Sequence, residues 1–185
     1  MEVTKTELEG VLIIEPDVYE DERGFFCEGW HKERYRQVGI EREFVQDNVS
    51  FSKKGTLRGL HYQCPNEQGK LVWVLDGEVF DVVADIRVGS PTFGKWVGVM
   101  LSSENKKQFY IPPGFAHGFC VISDTALFSY KCTDVYNPAA AGFIRYDDPA
   151  IGIEWPGIEK VLSEKDRNAA LLSEIETAML PKWNG

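Results

Sequence analysis

The chain is poor in the residues from which metal and redox sites are built. Of its 185 residues only three are histidine (His31, His61, His117) and four are cysteine (Cys27, Cys64, Cys120, Cys132). The cysteines are widely spaced, form no Cys-x-x-Cys pair and sit among apolar neighbours, which suits reduced, buried thiols better than a disulfide framework. Positive charge is also scarce: 20 basic side chains stand against 29 acidic ones, a formal charge of −9. That balance argues against nucleic acid or an anionic membrane as partner, since either needs a broad basic field, but a small anionic ligand needs only a few local cations. No apolar run approaches the roughly 20 residues that span a bilayer, and the N-terminal Met1-Glu-Val-Thr-Lys5 lacks an apolar signal core. The expected location is the cytoplasm.

What is present suits one globular domain over residues 1–185, with 43% apolar and 12% aromatic content. Short β-rich runs alternate with turn residues through the middle of the chain. Lys70–Leu75 meets Asp76-Gly77, a two-residue hairpin signal, and continues as Glu78–Ile86. Trp96–Leu101, Gln108–Ile111, Gly118–Ile122 and Leu127–Cys132 follow, with turn residues between them. The expected fold is mainly β, an antiparallel double-sheet jelly roll, or barrel, with short peripheral helices. One helix is predicted from His31 to about Val38, superficial and stopped by Gly39. Another begins at Ser163-Glu-Lys-Asp166, an N-cap pattern, and runs through Leu172.

The chemistry-bearing stretch is Arg58-Gly-Leu-His61-Tyr-Gln63, followed by Lys70 and by Pro112-Pro-Gly-Phe-Ala-His117. Metal-binding barrels of the cupin type use His-x-His plus a carboxylate, and a third histidine from Pro-x-Gly-x-x-His. Here Gln63 stands at the second histidine position, so a three-histidine site would need the remote His31. The pattern reads as a pocket without its metal, in which His61 is free to move protons.

On a strand, Gly59, His61 and Gln63 share one face, which is polar or empty. His61 is either a satisfied structural histidine or the centre of a site, and polar neighbours on a concave face favour the site. Strict alternation puts Arg58 on the opposite face, so a shared pocket requires a bulge at Gly59. Lys70 can place an ammonium at the pocket mouth, or can be a solvated strand end. Tyr130 alternates with Phe128 and Cys132 and can be core. Asp166 can simply pair with Ser163 as a capping carboxylate. His117 is either a pocket donor or a strand residue bonded to a carboxylate, for which Asp81 is the candidate. Gln46-Asp47-Asn48, in an apolar context, suits hydrogen bonding to a polar ligand.

Over nearly its whole length the chain resembles the dTDP-4-dehydrorhamnose 3,5-epimerase family. The resemblance rests on Asp21-Glu-Arg-Gly-Phe-Phe26, Phe44-Val-Gln-Asp-Asn48, Leu57-Arg-Gly-Leu-His-Tyr-Gln63, Gln68-Gly-Lys-Leu-Val72, Gly77-Glu-Val-Phe-Asp81, Ser90-Pro-Thr-Phe-Gly94, Ile111-Pro-Pro-Gly-Phe-Ala-His-Gly-Phe119, Tyr130-Lys131 and Ile151-Gly-Ile-Glu-Trp155, in the family's order. It implies a metal-free, cofactor-independent cupin-like barrel that epimerises a 4-keto-6-deoxy sugar at the carbons flanking the ketone. His61 then matches the base, Asp166 the carboxylate that orients it, Tyr130 the acid and Lys70 the cation at the C4 oxygen. Nucleotide and diphosphate contacts match Arg23, Glu28, Gln46, Asp47, Asn48, Arg58, His117 and Lys165, with Tyr136 stacking on thymine. The resemblance further implies a homodimer with exchanged N-terminal strands, in which Arg23 and Glu28 serve the neighbour's site. Two positions depart from the family: Ala141 replaces a frequent glutamate among the ligand contacts, and Trp73 replaces a common arginine. The alternatives are an epimerase acting at C3 or C5 only, a metal-dependent cupin, and a non-catalytic sugar-binding barrel.

Overall fold

The computed structural model describes residues 1–183. Strands β1 (Glu2–Lys5) and β2 (Leu12–Glu15) precede a separate hairpin of β3 (Val18–Asp21) and β4 (Gly24–Cys27), then helix α1 (Lys32–Gln37). Next come β5 (Gln46–Lys53), β6 (Leu57–Gln63), β7 (Lys70–Asp76) and β8 (Glu78–Asp85). After them run β9 (Trp96–Ser102), β10 (Gln108–Ile111), β11 (Phe115–Val121), β12 (Thr125–Cys132) and β13 (Ala141–Phe143). The chain closes with α2 (Glu164–Arg167) and two single 3-10 turns, Leu172–Glu174 and Thr177–Met179.

Two antiparallel sheets face each other, as the jelly-roll reading expected. One has the order β1-β2-β10-β7-β12-β5, the other β13-β6-β11-β8-β9. Between them lies a core of Val72, Val74, Val79, Val83, Leu101, Phe109, Phe119 and Phe128. These are the alternate, inward positions of each strand, and a fully enclosed Phe or Val contributes roughly 1.5–3 kcal/mol by burial. No helix among the described residues is long and apolar enough to cross a membrane.

Two expectations need correction, and a third gains a detail. Asp76-Gly77 does make a tight turn, with Gly77 at φ +84°, but β7 and β8 do not pair. β7 pairs with β10 and β12, and β8 with β11 and β9, so the turn carries the chain from one sheet to the other. The positive φ is a local demand that the sequence advertises; the choice of sheet is set by distant partners. Helix α1 is superficial, as expected: only Tyr35 of Lys32–Gln37 is buried, anchoring it to the outer face of the six-stranded sheet in a cluster with Leu12, Ile14, Leu71 and Tyr110. The Tyr35 hydroxyl donates to Gln108 Oε1 at 2.7 Å, and burial pushes its pKa up to about 12. Finally, α2 stops at Arg167 rather than reaching Leu172. Ala170 bridges to Ile144 and accepts the Arg145 N–H, while the Leu172 N–H donates to buried Asp148. Those tertiary partners take the backbone groups that a longer helix would use.

Candidate active site

The site is made possible by a bulge in β6. Against β11, His61 pairs with His117 and Arg58 with Phe119, so three steps along β6 match two along β11. The extra residue turns Arg58 and His61 toward the same cavity, resolving the conflict that strict alternation posed. Gly59 sits there at φ +139°, and a Cβ on it would lie 2.5 Å from Gly118 Cα. Only glycine permits both the dihedral and the close approach.

The cavity holds about 410 Å³ and is enclosed by both sheets, β13 and α2. Of the thirteen residues expected at a site, it gathers nine on its walls: Gln46, Asn48, Arg58, His61, Lys70, Tyr130, Tyr136, Lys165 and Asp166. His61 comes from the five-stranded sheet and Tyr130 from the six-stranded one, so the two side chains approach from facing walls.

His61 Nε2 lies 2.5 Å from Asp166 Oδ1. An ionised carboxylate accepts only, so Nε2 carries the proton and Nδ1 is left as the acceptor nitrogen. Phe143 meets the imidazole edge-on at 5.1 Å and limits its rotation. Asp166 is 4% exposed. Burial by itself raises its pKa, but hydrogen bonds from His61 and Ser163, with the Gly59 backbone N–H, outweigh burial and hold it below the usual carboxylate value. Asp166 thus sits in both networks at once: the cap is Ser163, whose Oγ accepts the Asp166 backbone N–H at 3.1 Å, while the Asp166 carboxylate reaches His61.

Lys70 is buried in the wall, not solvated at the mouth, with 8% of its surface exposed. Burial lowers its pKa, opposed by the neighbouring Cys132 and Asp81. Burial also raises the Tyr130 phenol, with Cys132 adding to the effect and Arg58 opposing it. The phenol therefore holds its proton at neutral pH. On the rim, Gln46 Oε1 accepts the Tyr136 N–H at 2.8 Å and its Nε2 donates to Asn48 Oδ1 at 3.0 Å. Arg58 is steadied by Ser52 Oγ at 3.2 Å.

Four expected residues lie elsewhere. Asp47 points to the opposite face of β5, as alternation requires, and pairs with Lys131 at 2.9 Å. His117 is buried and not among the cavity's lining residues, and its Nε2 lies 2.9 Å from Asp81 Oδ1, the contact that the strand reading expected. Arg23 and Glu28 belong to the outlying β3–β4 region, paired with Asp21 and Arg34. Trp73 packs beside Gly29, away from the cavity. Gln63 lines the cavity but is committed to backbone: Nε2 donates to the Asn66 and Val135 carbonyls, and Oε1 accepts the Asn137 N–H. Sequence reasoning missed Phe143 as a wall; only its place after Gly142 in an apolar run hinted at it.

A model of the family described as dTDP-4-dehydrorhamnose 3,5-epimerase matches residues 5–174. The chain belongs to that family. A dTDP-4-dehydrorhamnose 3,5-epimerase from Shigella flexneri is 57% identical over 91% of this chain and 94% of its own length. The solved dTDP-6-deoxy-D-glucose-3,5-epimerase of Legionella pneumophila, in complex with dTDP-4-keto-L-rhamnose, superposes with a TM-score of 0.98 at 55% identity. That match covers 100% of this chain and 99% of the other. A dTDP-4-dehydrorhamnose 3-epimerase from Streptomyces niveus is similar at 39% identity, over 95% of this chain and 86% of its own. The chain is thus an epimerase-family, cupin-like β protein, and an epimerase is an isomerase.

Proposed function

We propose that the protein inverts C3 and C5 of dTDP-4-dehydro-6-deoxy-D-glucose to give dTDP-4-dehydro-L-rhamnose, the step before reduction to dTDP-rhamnose. The observation that carries this is a carboxylate-paired histidine and a proton-bearing tyrosine on facing walls of one cavity, with a buried lysine on the strand beside the tyrosine's. A C–H bond α to the C4 ketone breaks, its proton passes to His61 Nδ1, and the electron pair moves to the C4 oxygen. Lys70 stabilises that enolate charge in the low-dielectric wall. Tyr130 then gives its hydroxyl proton to the opposite face of the carbon, inverting it. Exchange with solvent returns His61 to the neutral form and Tyr130 to the phenol, and the cycle repeats at the second carbon. No step calls for a metal or cofactor, and the commitment of Gln63 to three backbone groups suits that economy.

The nucleoside diphosphate is assigned to Arg58, Lys165, Gln46, Asn48 and Tyr136. Arg23 and Glu28 fit this scheme only in a homodimer. Its support is the β3–β4 hairpin, which projects with Tyr19, Phe25 and Phe26 exposed by 64%, 59% and 68%. Exchanged onto a second copy, the hairpin would bury those rings and bring Arg23 to the neighbour's phosphates. Four free thiols suit a cytoplasmic setting.

The single-centre alternative rests on the 3-epimerase relative at 39% identity, which is less similar than the 3,5-epimerase at 57%. Incubation with dTDP-4-dehydro-6-deoxyglucose in heavy water separates the two. Deuterium at both C3 and C5 supports inversion at two centres, deuterium at one supports the alternative, and none on either carbon rejects both.

A further inference from the structure

Asp166 is held by more contacts than capping requires. Ser163 Oγ–H donates to Asp166 Oδ2 at 2.6 Å, and Ser163 Oγ in turn accepts the Asp166 backbone N–H at 3.1 Å. The other carboxylate oxygen, Oδ1, takes the His61 Nε2–H. A carboxyl group turns easily about its terminal torsion, so neither the imidazole contact nor the Gly59 backbone N–H alone fixes which oxygen faces His61. Nor can α2 fix it, since four residues provide almost no internal hydrogen bonding. An N-cap needs only an acceptor for the backbone N–H and leaves the hydroxyl proton free to point to water. Here that proton goes onto the carboxylate.

We propose that Ser163 is a positioning residue for the epimerisation: its hydroxyl proton locks the Asp166 carboxylate so that Oδ1 meets His61 Nε2, which fixes the tautomer that leaves Nδ1 to take the substrate proton. The inference rests on the epimerase reading of the site. It differs from plain capping in a testable way, because glycine is a fair N-cap but has no hydroxyl.

The test compares Ser163→Gly, Ser163→Ala and Ser163→Thr for kcat and KM in the full-length protein, with thermal melting to normalise for folded fraction. Gly and Ala should each lower kcat by about tenfold or more with KM within about twofold, and Thr, which keeps the donor, should return to within about threefold of the parent. Ser163→Gly combined with Asp166→Asn should be no slower than Asp166→Asn alone, since both act through one carboxylate. Parental kcat in the Gly variant overturns the proposal. So does a loss confined to KM, failure of Thr to recover, or a double variant slowed by the product of the two single effects. If the parent protein itself exchanges no proton at C3 or C5, the epimerase reading fails; if it exchanges and Ser163→Gly matches it, only the role of Ser163 fails.

Discussion

Two histidine–aspartate pairs stand side by side in this barrel, in different surroundings. His61 and His117 are cross-strand neighbours on β6 and β11, and each contacts one carboxylate through Nε2. The side chain of His61 is 39% exposed, that of His117 only 8%. Asp166 collects donors from three directions and is held below its usual pKa, whereas Asp81 has 0% side-chain exposure and burial pushes its carboxyl up despite His117 and Lys70. The chemistry of such a pair is set by what surrounds it. At the cavity wall the proposed function has the aspartate orient a base that meets substrate; in the interior the same two groups satisfy each other, with Lys70 near enough to act on the Asp81 carboxyl.

The sharpest way to break that contrast is to remove each imidazole. His61→Ala should lower proton exchange at C3 and C5 by roughly 10³-fold or more, with the melting temperature within about 3 °C of the parent. Substantial residual exchange at either carbon would remove His61 from its role. Asp166→Asn should cost about 10²–10³-fold in kcat, because the amide permits the wrong histidine tautomer, with a much smaller change in KM. An unchanged kcat would reduce Asp166 to its capping function. His117→Ala should act on the fold instead, leaving the enclosed Asp81 without its partner at a cost of about 2–4 kcal/mol in urea unfolding. Activity per folded molecule should fall less than about tenfold. A larger fall with parental stability would mean that His117 meets substrate after all, as the family resemblance implied.

The two pairs were not equally legible in the sequence. Asp81 and His117 were matched because a buried strand carboxylate demands a partner and few were available. The bulge at Gly59 followed from alternation once Arg58 and His61 were required to serve one pocket, since they cannot share a face without it. Asp166, in contrast, lies 105 positions from His61, and its spacing indicates only a cap; the resemblance supplied the rest. Lys70 resembled a solvated strand end because nothing local reveals that β10 and β12 flank it on both sides in the sheet. Asp47 shows the reverse error: the family motif ran through it, but the period of two that sends Gln46 and Asn48 inward sends Asp47 outward to Lys131. The Asp76-Gly77 turn was read correctly as a turn and wrongly as a hairpin, because strand pairing depends on contacts that no short window contains.

The smallest expected effect is also the most direct measure of the contrast, and it lies in the pH dependence of stability. For Asp166 the folded pKa is depressed below the unfolded value of 3.8. Its contribution is therefore complete above pH 3.8 and is lost as the pH falls through the lower, folded value. For Asp81 the folded pKa is raised above the same 3.8, so the native state binds the proton more tightly than the unfolded chain. Its contribution is complete below pH 3.8 and is lost as the pH rises through the higher, folded value. Urea unfolding of the parent, Asp166→Asn and Asp81→Asn across acid to neutral pH tests both signs. On acidification the parent should lose its advantage over Asp166→Asn below pH 3.8, and should gain relative to Asp81→Asn above it, with slopes no steeper than about 1.4 kcal/mol per pH unit for one proton. If both differences moved in the same direction, the two carboxylates would share one electrostatic environment, and burial could not be what separates the working pair from the structural one.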